Sequence, residues 1–328
     1  MKRRSALLAL AALALAACSS PSSNQAGPAA SGAPAAAGAT NVKLQLDWVA
    51  EPEFGGFYAA RASGAFKTEG LEVEIAGGGA GVPVVQMVAT GKAQFGIAGA
   101  DEVITARAKG ADVVPVFAVF QTSPQGIMTH EGRGAKTLGE VLASGSLAIE
   151  PGLSYAAFLK KKFGFDKVKV VPYDGGVARF LAEKDFSQQC YVTSEPIAAK
   201  KKGGDPKVFL VADEGFNPYL GVVIASASFV KEKPDVVRKF VRAAREGWKS
   251  YLSDPKAANE VMGKINKAMD AETFAAAAEA QKPLILAGDA KDKGVGVMSK
   301  ERWETLAGQL KDLGLVDKAE APPLPAME

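Results

Sequence analysis

The sequence predicts an α/β protein of two lobes, and three observations favour that fold class. From Val42 onward, short β-rich runs alternate with segments of helical periodicity, which is typical of helices layered on parallel strands. A second set of strands, beginning near Ser123, repeats the order and the glycine turns of the first set. The chain has 328 residues, of which 48% are hydrophobic, so it is long enough for two lobes of roughly 100–200 residues each.

The N-terminus has the pattern of a secretory signal. Lys2, Arg3 and Arg4 precede the apolar run SALLALAALALAAC, which is too short to cross a bilayer, since a spanning helix needs about 20 residues. The end of this run, LAAC, resembles the bacterial lipobox, in which the cysteine is acylated and becomes the new N-terminus. We therefore expect a signal peptide over residues 1–17 and a lipid anchor at Cys18. The alternative is an ordinary signal peptide with an incidental cysteine.

Residues 18–41 are predicted to form a flexible tether. The stretch is composed of Ser, Pro, Ala and Gly with few other residues, and it offers no large apolar side chain whose burial could offset the entropy of ordering. A lipid-anchored domain needs such slack. Once Cys18 is acylated, Cys190 has no partner in the chain, so we expect no intrachain disulfide.

The first lobe begins with strands at VKLQL, LEVEI, AQFGIA and DVVPVFAVF. Between them, GFYAARASGAF and VPVVQMVATG have helical patterns that end at Gly64 and Gly91, where glycine can adopt the left-handed conformation of a helix C-terminus. The second lobe contributes strands at GIMTH, SLAIE, VKVVPY, QQCYVT and VFLVAD. Each lobe is thus expected to hold its own sheet.

After a further strand, YLGVVIAS, the chain becomes helical to its end. Apolar side chains recur in steps of three and four along this part, which is the spacing of a buried helix face. They are Val237, Phe240, Val241, Ala244, Trp248, Tyr251, Trp303, Leu306, Leu310 and Leu313. We expect this region to cross back and pack on the first lobe. Lobe 1 is then 42–122 with 218–328, lobe 2 is 123–217, and two hinge crossings lie near Ser123 and Pro218.

Several segments resemble one family of transport receptors. They are LDWVAEPEFGGFYAARASGAFKTEGLEVEI, GKAQFGIAGADEV, FQTSPQGIM and YVTSEPIA. They are similar to the ABC-transporter substrate-binding proteins of the nitrate, sulfonate and thiamine-precursor group. The resemblance implies a type II periplasmic binding fold with the ligand in a cleft between the lobes. It also implies an ABC permease in the cytoplasmic membrane as partner and a location in the bacterial cell envelope, periplasmic or extracytoplasmic.

Candidate ligand-binding residues follow the predicted strands or open the next helix. In open α/β sheets, small molecules bind beyond the carboxyl ends of the strands, where loops present side chains and helix N-termini present amides. The candidates are Trp48, Glu51, Phe54, Gly78, Gly79, Asp101, Gln121, Ser154, Tyr155, Tyr173, Tyr191 and Glu195.

Each candidate has a simpler explanation. Trp48 could cover the sheet edge, and Glu51, like Glu53, could be a solvated loop acid. The stretch AGGGAGVP departs from G-x-G-x-x-G, so it is either a close backbone approach to a ligand or a plain turn. Asp101 and Ser154 could merely cap helices, and Glu195 before a proline could do the same.

The residue types favour a flat, amino-bearing heterocycle as ligand. Aromatic rings at Trp48 and Tyr191 with a carboxylate at Glu195 suit such a molecule better than nitrate or a sulfonate. A thiamine pyrimidine precursor fits this description, although the thiamine-precursor relatives commonly carry a histidine where this chain has Phe54. A flavin or an unrelated aromatic compound therefore stays open.

The composition argues against other classes of protein. Removal of three basic residues with the signal peptide leaves 36 basic and 36 acidic residues from the 39 and 36 of the full chain, which does not favour nucleic-acid binding. One histidine, His130, and scattered acids supply no clustered metal ligands, and no cofactor is expected. Ser154 lies in PGLSYAAF, which departs from a nucleophile elbow at Ala156.

We therefore predict a lipid-anchored, monomeric solute receptor of an ABC importer and not an enzyme. It would capture a small aromatic heterocycle between its lobes. The alternatives are a nitrate- or sulfonate-type anion receptor and a pyrimidine-biosynthesis enzyme on the same fold.

Overall fold

The computed structural model describes residues 38–327, which belong to a single compact unit. The predicted signal peptide, most of the tether and Cys18 lie outside the described residues. The first strand begins at Thr40, inside the range predicted for the tether, because Thr40 and Asn41 pair with Leu71 and Glu72 of the neighbouring strand. Within the described part of the chain, no helix combines the length and the apolar character needed to cross a membrane.

Ten strands and fourteen helices alternate along the described residues, apart from three short 3-10 turns. The strands are β1 Thr40–Gln45, β2 Leu71–Ala76, β3 Phe95–Ala98, β4 Val113–Phe120, β5 Gln125–His130, β6 Ser146–Ala148, β7 Lys169–Val171, β8 Phe186–Tyr191, β9 Pro206–Leu210 and β10 Leu220–Ser226. The helices are α1 Gly55–Ser63, α2 Ala65–Thr68, α3 Val84–Ala89, α4 Ala100–Ala108, α5 Leu138–Val141, α6 Ser154–Phe163, α7 Ala178–Ala182, α8 Glu195–Lys201, α9 Ala227–Glu232, α10 Pro234–Ser253, α11 Lys256–Ile265, α12 Ala271–Ile285, α13 Ala290–Lys293 and α14 Lys300–Asp312.

The strands form two five-stranded sheets, which confirms the predicted α/β class with two lobes. The first sheet has the order β2-β1-β3-β10-β4 and the second has the order β7-β6-β8-β5-β9. In the first sheet, β1 is parallel to β2 and β3, and in the second sheet, β6 is parallel to β7 and β8. Strands β10 and β5 run antiparallel to both of their neighbours. Each of these two strands enters its sheet directly from a crossing rather than through a helical crossover, so the expectation of parallel strands fails there.

The chain crosses between the sheets twice, over residues 121–124 and 211–219. The two crossings lie side by side, because the Ser123 backbone N–H donates a hydrogen bond to Asn217 Oδ1 at 2.8 Å and the Asn217 side chain also donates to the Gln121 carbonyl. Pro124 and Pro218 lie in these segments. This adjacency forms a double hinge.

The C-terminal helices pack on the first sheet, as the sequence predicts. Helix α10 lies against α1 at a contact of two glycines, since a Cβ on Gly247 would lie 2.2 Å from the Gly56 carbonyl oxygen. Its predicted apolar face is buried, and the Phe240 ring stacks on Phe95 with 3.9 Å between centroids. Helix α14 covers the opposite face of the same sheet and buries Trp303.

The second lobe has a smaller core that includes the only histidine. His130 is buried and stacks on Phe180 with centroids 4.1 Å apart. Its Nδ1 bonds Asp205, and its Nε2 lies 2.7 Å from the Phe180 carbonyl oxygen. Both ring nitrogens are therefore engaged in holding this lobe together.

Candidate functional site

The loop after β1 carries three acids, Asp47, Glu51 and Glu53, and the aromatic ring of Trp48. The glycines at 78 and 79 hold this loop, because the Gly78 N–H donates to the Trp48 carbonyl at 2.9 Å and the Gly79 N–H donates to the Asp47 carbonyl at 3.1 Å. A Cβ on Gly78 would lie 2.2 Å from the Leu46 carbonyl oxygen, so this position requires glycine. The two amides expected to approach a ligand are thus engaged by the Trp48 loop.

Glu51 is half-buried in this loop and carries an unusual carboxyl group. Burial, and then the charge of Glu195, raise the pKa of Glu51 from 4.5 to about 7, against the opposing hydrogen bonds of Asn266 and Trp48. The Asn266 side-chain amide donates to Glu51 Oε1 at 3.4 Å. The Trp48 side chain stands 42% exposed beside this acid. The charge of Glu195 on the second lobe therefore contributes to the raised pKa of Glu51 on the first lobe.

Asp47 and Glu53 add two further acids on the first lobe. Burial, and then Glu102, raise the pKa of Asp47 from 3.8 to about 7. One carboxylate oxygen of Asp47, Oδ1, is buried and has no hydrogen-bond donor among the described residues. Burial, and then the charges of Asp47, Glu51 and Glu195, raise the pKa of Glu53 well above its usual value. No opposing hydrogen bond or cation acts on Glu53 within residues 38–327.

The second lobe supplies a fixed carboxylate at the start of α8. Glu195 Oε1 accepts a hydrogen bond from the Tyr173 hydroxyl at 2.6 Å, and Oε2 accepts one from the Tyr191 backbone N–H at 2.8 Å. Burial, and then the charge of Glu195, raise the pKa of Tyr173, so the phenol stays protonated and donates. A carboxylate has about four acceptor positions, and these two bonds leave further positions for a ligand.

A cavity of about 140 Å³ opens beside Glu195 in the second lobe. Its lining consists of Gln125, Glu150, Leu153, Tyr155, Gln189, Cys190, Tyr191 and Glu195. The Tyr155 ring is 4% exposed, and burial raises its pKa well above the usual value. Burial likewise raises the pKa of the Cys190 thiol, which is therefore protonated and unreactive at neutral pH.

The two lobes touch around this cavity. Ser154 Oγ at the start of α6 donates to Asp101 Oδ2 at the start of α4, so these two candidates bind each other. The N-terminal amide of α4 at Gly99 is capped at 2.9 Å by Glu102 and not by Asp101. The Tyr191 ring of the second lobe packs against the apolar core of the first lobe. Lys201 Nζ of α8 also pairs with Asp270 before α12 at 2.6 Å.

Two predicted candidates lie in positions with a structural function. Phe54 is 2% exposed and belongs to the apolar core of the first lobe. Gln121 is also 2% exposed, and its side-chain amide donates to the Val297 carbonyl at 3.0 Å, which ties the first crossing to the C-terminal region. We leave Phe54, Gln121 and the amides of Gly78 and Gly79 out of the proposed site for these reasons.

The structure also brings in residues that were not among the predicted candidates. They are the cavity residues Gln125, Glu150, Leu153, Gln189 and Cys190. Glu150 lies two residues after the end of β6, so the rule of strand carboxyl ends could have found it. Gln125 starts its strand, and it reaches the same edge because β5 is antiparallel and pairs Gln125 with Tyr191.

The residues that line this cavity can stack on a ring and form hydrogen bonds. Phenol rings, carboxylates and two glutamine amides can stack on a ring and accept or donate hydrogen bonds. Within residues 38–327, no group of three or more His, Cys, Asp or Glu has an arrangement that could hold a metal ion.

A protein-family model described as NMT1/THI5 like matches residues 51–258. Riboflavin-binding protein RibY of Chloroflexus aurantiacus is 27% identical over 255 residues, which are 73% of this chain and 71% of that protein. A 4-amino-5-hydroxymethyl-2-methylpyrimidine phosphate synthase of Candida albicans is 24% identical over 256 residues, covering 70% of this chain and 73% of that protein.

Among solved structures, the periplasmic aliphatic sulphonate binding protein SsuA from Escherichia coli superposes with a TM-score of 0.67. The alignment covers 87% of this chain and 94% of that chain at 14% identity. At this identity the likeness concerns the fold, which is that of the periplasmic binding proteins.

Proposed function

Because this chain belongs to the NMT1/THI5-like family, we propose that it is an extracytoplasmic solute-binding receptor of an ABC importer. It captures a small aromatic heterocycle between its two lobes and delivers it to a permease in the cytoplasmic membrane. A thiamine pyrimidine precursor or a molecule of similar build is the ligand class, because relatives are named for riboflavin binding and for a pyrimidine phosphate product.

One observation carries this proposal: the cavity combines aromatic rings with a carboxylate held ready to accept hydrogen bonds. Tyr155 and Tyr191 line it beside Glu195, and the charge of Glu195, after burial, raises the pKa of Glu51 on the other lobe. A flat ring can stack on a phenol, and its amino groups can donate to carboxylates. Trp48 at the exposed end of the first loop can cover a second face of the ligand.

The double hinge gives such a receptor a means of signalling. A ligand that contacts both lobes favours the state in which the lobes are close, by as much as its contacts differ between the open and closed states. The Ser154 bond to Asp101 and the Lys201 pair with Asp270 are available only when the lobes are close. A permease that recognises this closed surface would respond to the loaded receptor.

The N-terminal sequence supports the proposed location. We propose a signal peptide over residues 1–17, a lipid on Cys18 and a tether, which would hold the receptor, as a monomer, at the outer side of a bacterial membrane. We propose lobe boundaries at 42–122 with 218–328 and at 123–217, which is where the chain passes between the two sheets.

An enzymatic function is the alternative that the Candida albicans relative suggests. The site residues do not favour it, because both nitrogens of His130 are engaged within the second lobe and the Cys190 thiol is buried and protonated. An anion receptor is disfavoured by the acids that surround the cavity.

Mass spectrometry of small molecules released by heat from the purified chain tests the proposed function. We expect one aromatic compound per chain. The released compound should bind again, chemically unchanged, to the refolded protein or to a fresh sample without ligand. A compound without an aromatic ring would contradict the proposal, and a compound converted to a product on incubation would favour the enzyme.

A further inference from the structure

The cavity beside Glu195 has the size of one aromatic ring. Its volume is about 140 Å³, and an apolar cavity of about 150 Å³ in another protein holds benzene. Part of the lining is apolar, through Leu153, Tyr155 and Cys190. The cavity can therefore hold a single six-membered ring, and any larger part of a ligand must extend out of it.

The side chain of Gln189 is held with its amide nitrogen unengaged. Its carbonyl oxygen, Oε1, accepts a hydrogen bond from the Glu150 backbone N–H at 2.6 Å. Because an N–H group must meet the oxygen of a carboxamide and not its nitrogen, this bond determines which way the amide faces. The amide nitrogen has no hydrogen-bond acceptor among residues 38–327, and it is not among the enclosed polar atoms of this range that lack a partner. Its two N–H donors are thus available to a molecule in the cavity that Gln189 lines.

Gln125 has a similar arrangement on the neighbouring strand. Its Oε1 accepts a hydrogen bond from the Ser123 hydroxyl at 3.4 Å, and its amide nitrogen has no acceptor within the described part of the chain. Gln125 lies opposite Tyr191 in the pair of β5 and β8, and Gln189 precedes Tyr191 by two residues. The three side chains therefore lie on one face of the second sheet, which presents amide donors next to an aromatic ring.

Glu195 supplies the opposite type of group to the same cavity. The Tyr173 hydroxyl and the Tyr191 backbone N–H donate to its two oxygens at 2.6 and 2.8 Å. A carboxylate has about four acceptor positions, so the remaining ones can accept an N–H or O–H group of a ligand. Donors at Gln189 and an acceptor at Glu195 thus define a polar pattern that a bound ring has to match.

We infer that Gln189 is a specificity-determining residue, and that the ligand inserts a six-membered heterocycle with an acceptor facing Gln189 and a donor facing Glu195. A ring nitrogen or a carbonyl oxygen serves as the acceptor, and a ring N–H or an amino group serves as the donor. Lactams and amino-substituted azines carry both on one ring. This inference rests on the proposed receptor function and specifies the hydrogen-bonding pattern of its ligand. A ring without an acceptor would bury the Gln189 amide unpaired, which costs free energy.

Three probes of one size, all uncharged near neutral pH, test the inference. 2-Aminopyrimidine has ring acceptors and an amino donor, aniline has the donor alone, and pyrimidine has the acceptors alone. Affinities of the purified, ligand-stripped chain are measured by titration calorimetry. 2-Aminopyrimidine should bind about fivefold or more tightly than aniline, because it alone of these two can accept from Gln189. Pyrimidine, which has no donor for Glu195, should also bind more weakly than 2-aminopyrimidine.

Variants of Gln189 locate the contact. Gln189→Glu keeps an oxygen for the Glu150 N–H and replaces the amide donor by an acceptor, so the preference for 2-aminopyrimidine over aniline should disappear. Gln189→Met removes the donor without adding a charge beside Glu195 and should abolish the preference as well. Gln94→Glu is the matched control and should leave the preference unchanged. The Gln94 carbonyl oxygen also accepts a backbone N–H, from Lys43 at 2.9 Å, but Gln94 lies on the first lobe and does not line this cavity.

The outcomes separate the inference from the receptor function on which it rests. Equal binding of 2-aminopyrimidine and aniline to wild type would overturn the inference and leave the aromatic receptor standing. A preference retained in either folded Gln189 variant would do the same. No binding of any of the three probes at millimolar concentration would overturn the inference and count against the receptor as well.

Discussion

Replacing Glu51 with glutamine should stabilise the ligand-free protein at neutral and alkaline pH. The carboxyl of Glu51 is half-buried, and burial and Glu195 raise its pKa from 4.5 to about 7. Its hydrogen bonds, from the Asn266 amide at 3.4 Å and from the Trp48 side chain, can be accepted equally by a glutamine carbonyl. The substitution removes a negative charge that, above about pH 7, lowers the free energy of unfolding.

The magnitude follows from proton linkage. The folded state binds more protons than the unfolded state between about pH 4.5 and 7, so the free energy of unfolding falls as pH rises through that window and levels off above it. At 1.36 kcal/mol for each pH unit, a full rise from 4.5 to about 7 corresponds to roughly 3 kcal/mol. Because Glu51 is partly exposed, we expect a gain of about 1–3 kcal/mol near pH 8 and less than about 1 kcal/mol near pH 5.

Urea unfolding of wild type and Glu51→Gln at the two pH values measures this gain. Glu72→Gln on the exposed side of β2 serves as the matched control and should change the free energy of unfolding little at either pH. The reasoning would be refuted if Glu51→Gln were no more stable than wild type near pH 8. It would equally be refuted if the gain were the same near pH 5, since an uncharged carboxyl costs nothing of this kind.

Three further predictions concern ligand, closure and anchor. Trp48→Ala and Tyr191→Ala should each weaken binding of the copurified ligand about tenfold or more in titration calorimetry, since each ring adds roughly 1 kcal/mol beyond its buried area. Wild-type affinity in both folded variants would exclude a ligand stacked between these two rings. Saturating ligand should lower the radius of gyration in solution scattering, and an unchanged radius would count against hinge closure. Cys18→Ser should release the protein from the membrane fraction, whereas a wild-type protein that incorporates no labelled fatty acid would refute the anchor.

Much of the fold could be predicted because its signals are local. The buried face of α10, with Phe240 and Trp248, is written in steps of three and four along one segment. The glycine at 64 ends α1 with φ of 80°, as the helix C-terminus requires. Burial periodicity and helix ends depend on neighbours in the chain, so the sequence alone displays them.

The candidate site was harder to predict because it depends on contacts between distant segments. Position 78 requires glycine because its backbone lies close to the Leu46 carbonyl oxygen. No sequence pattern within the loop of Gly78 reveals this contact. Glu53 resembles a solvated loop acid in the sequence, whereas in the fold burial, and then the carboxylates of Asp47, Glu51 and Glu195, raise its pKa. Gln125 reaches the cavity only because β5 is antiparallel. Strand direction and the meeting of lobes are tertiary properties.

A crystal structure of the chain saturated with the compound that copurifies with it tests the central claim most directly. We predict electron density for one aromatic molecule between the lobes, with its ring beside Tyr155 or Tyr191 and a donor group within hydrogen-bond distance of Glu195. Density for the compound at any other place on the protein, with the space beside Glu195 filled by solvent alone, would contradict the account.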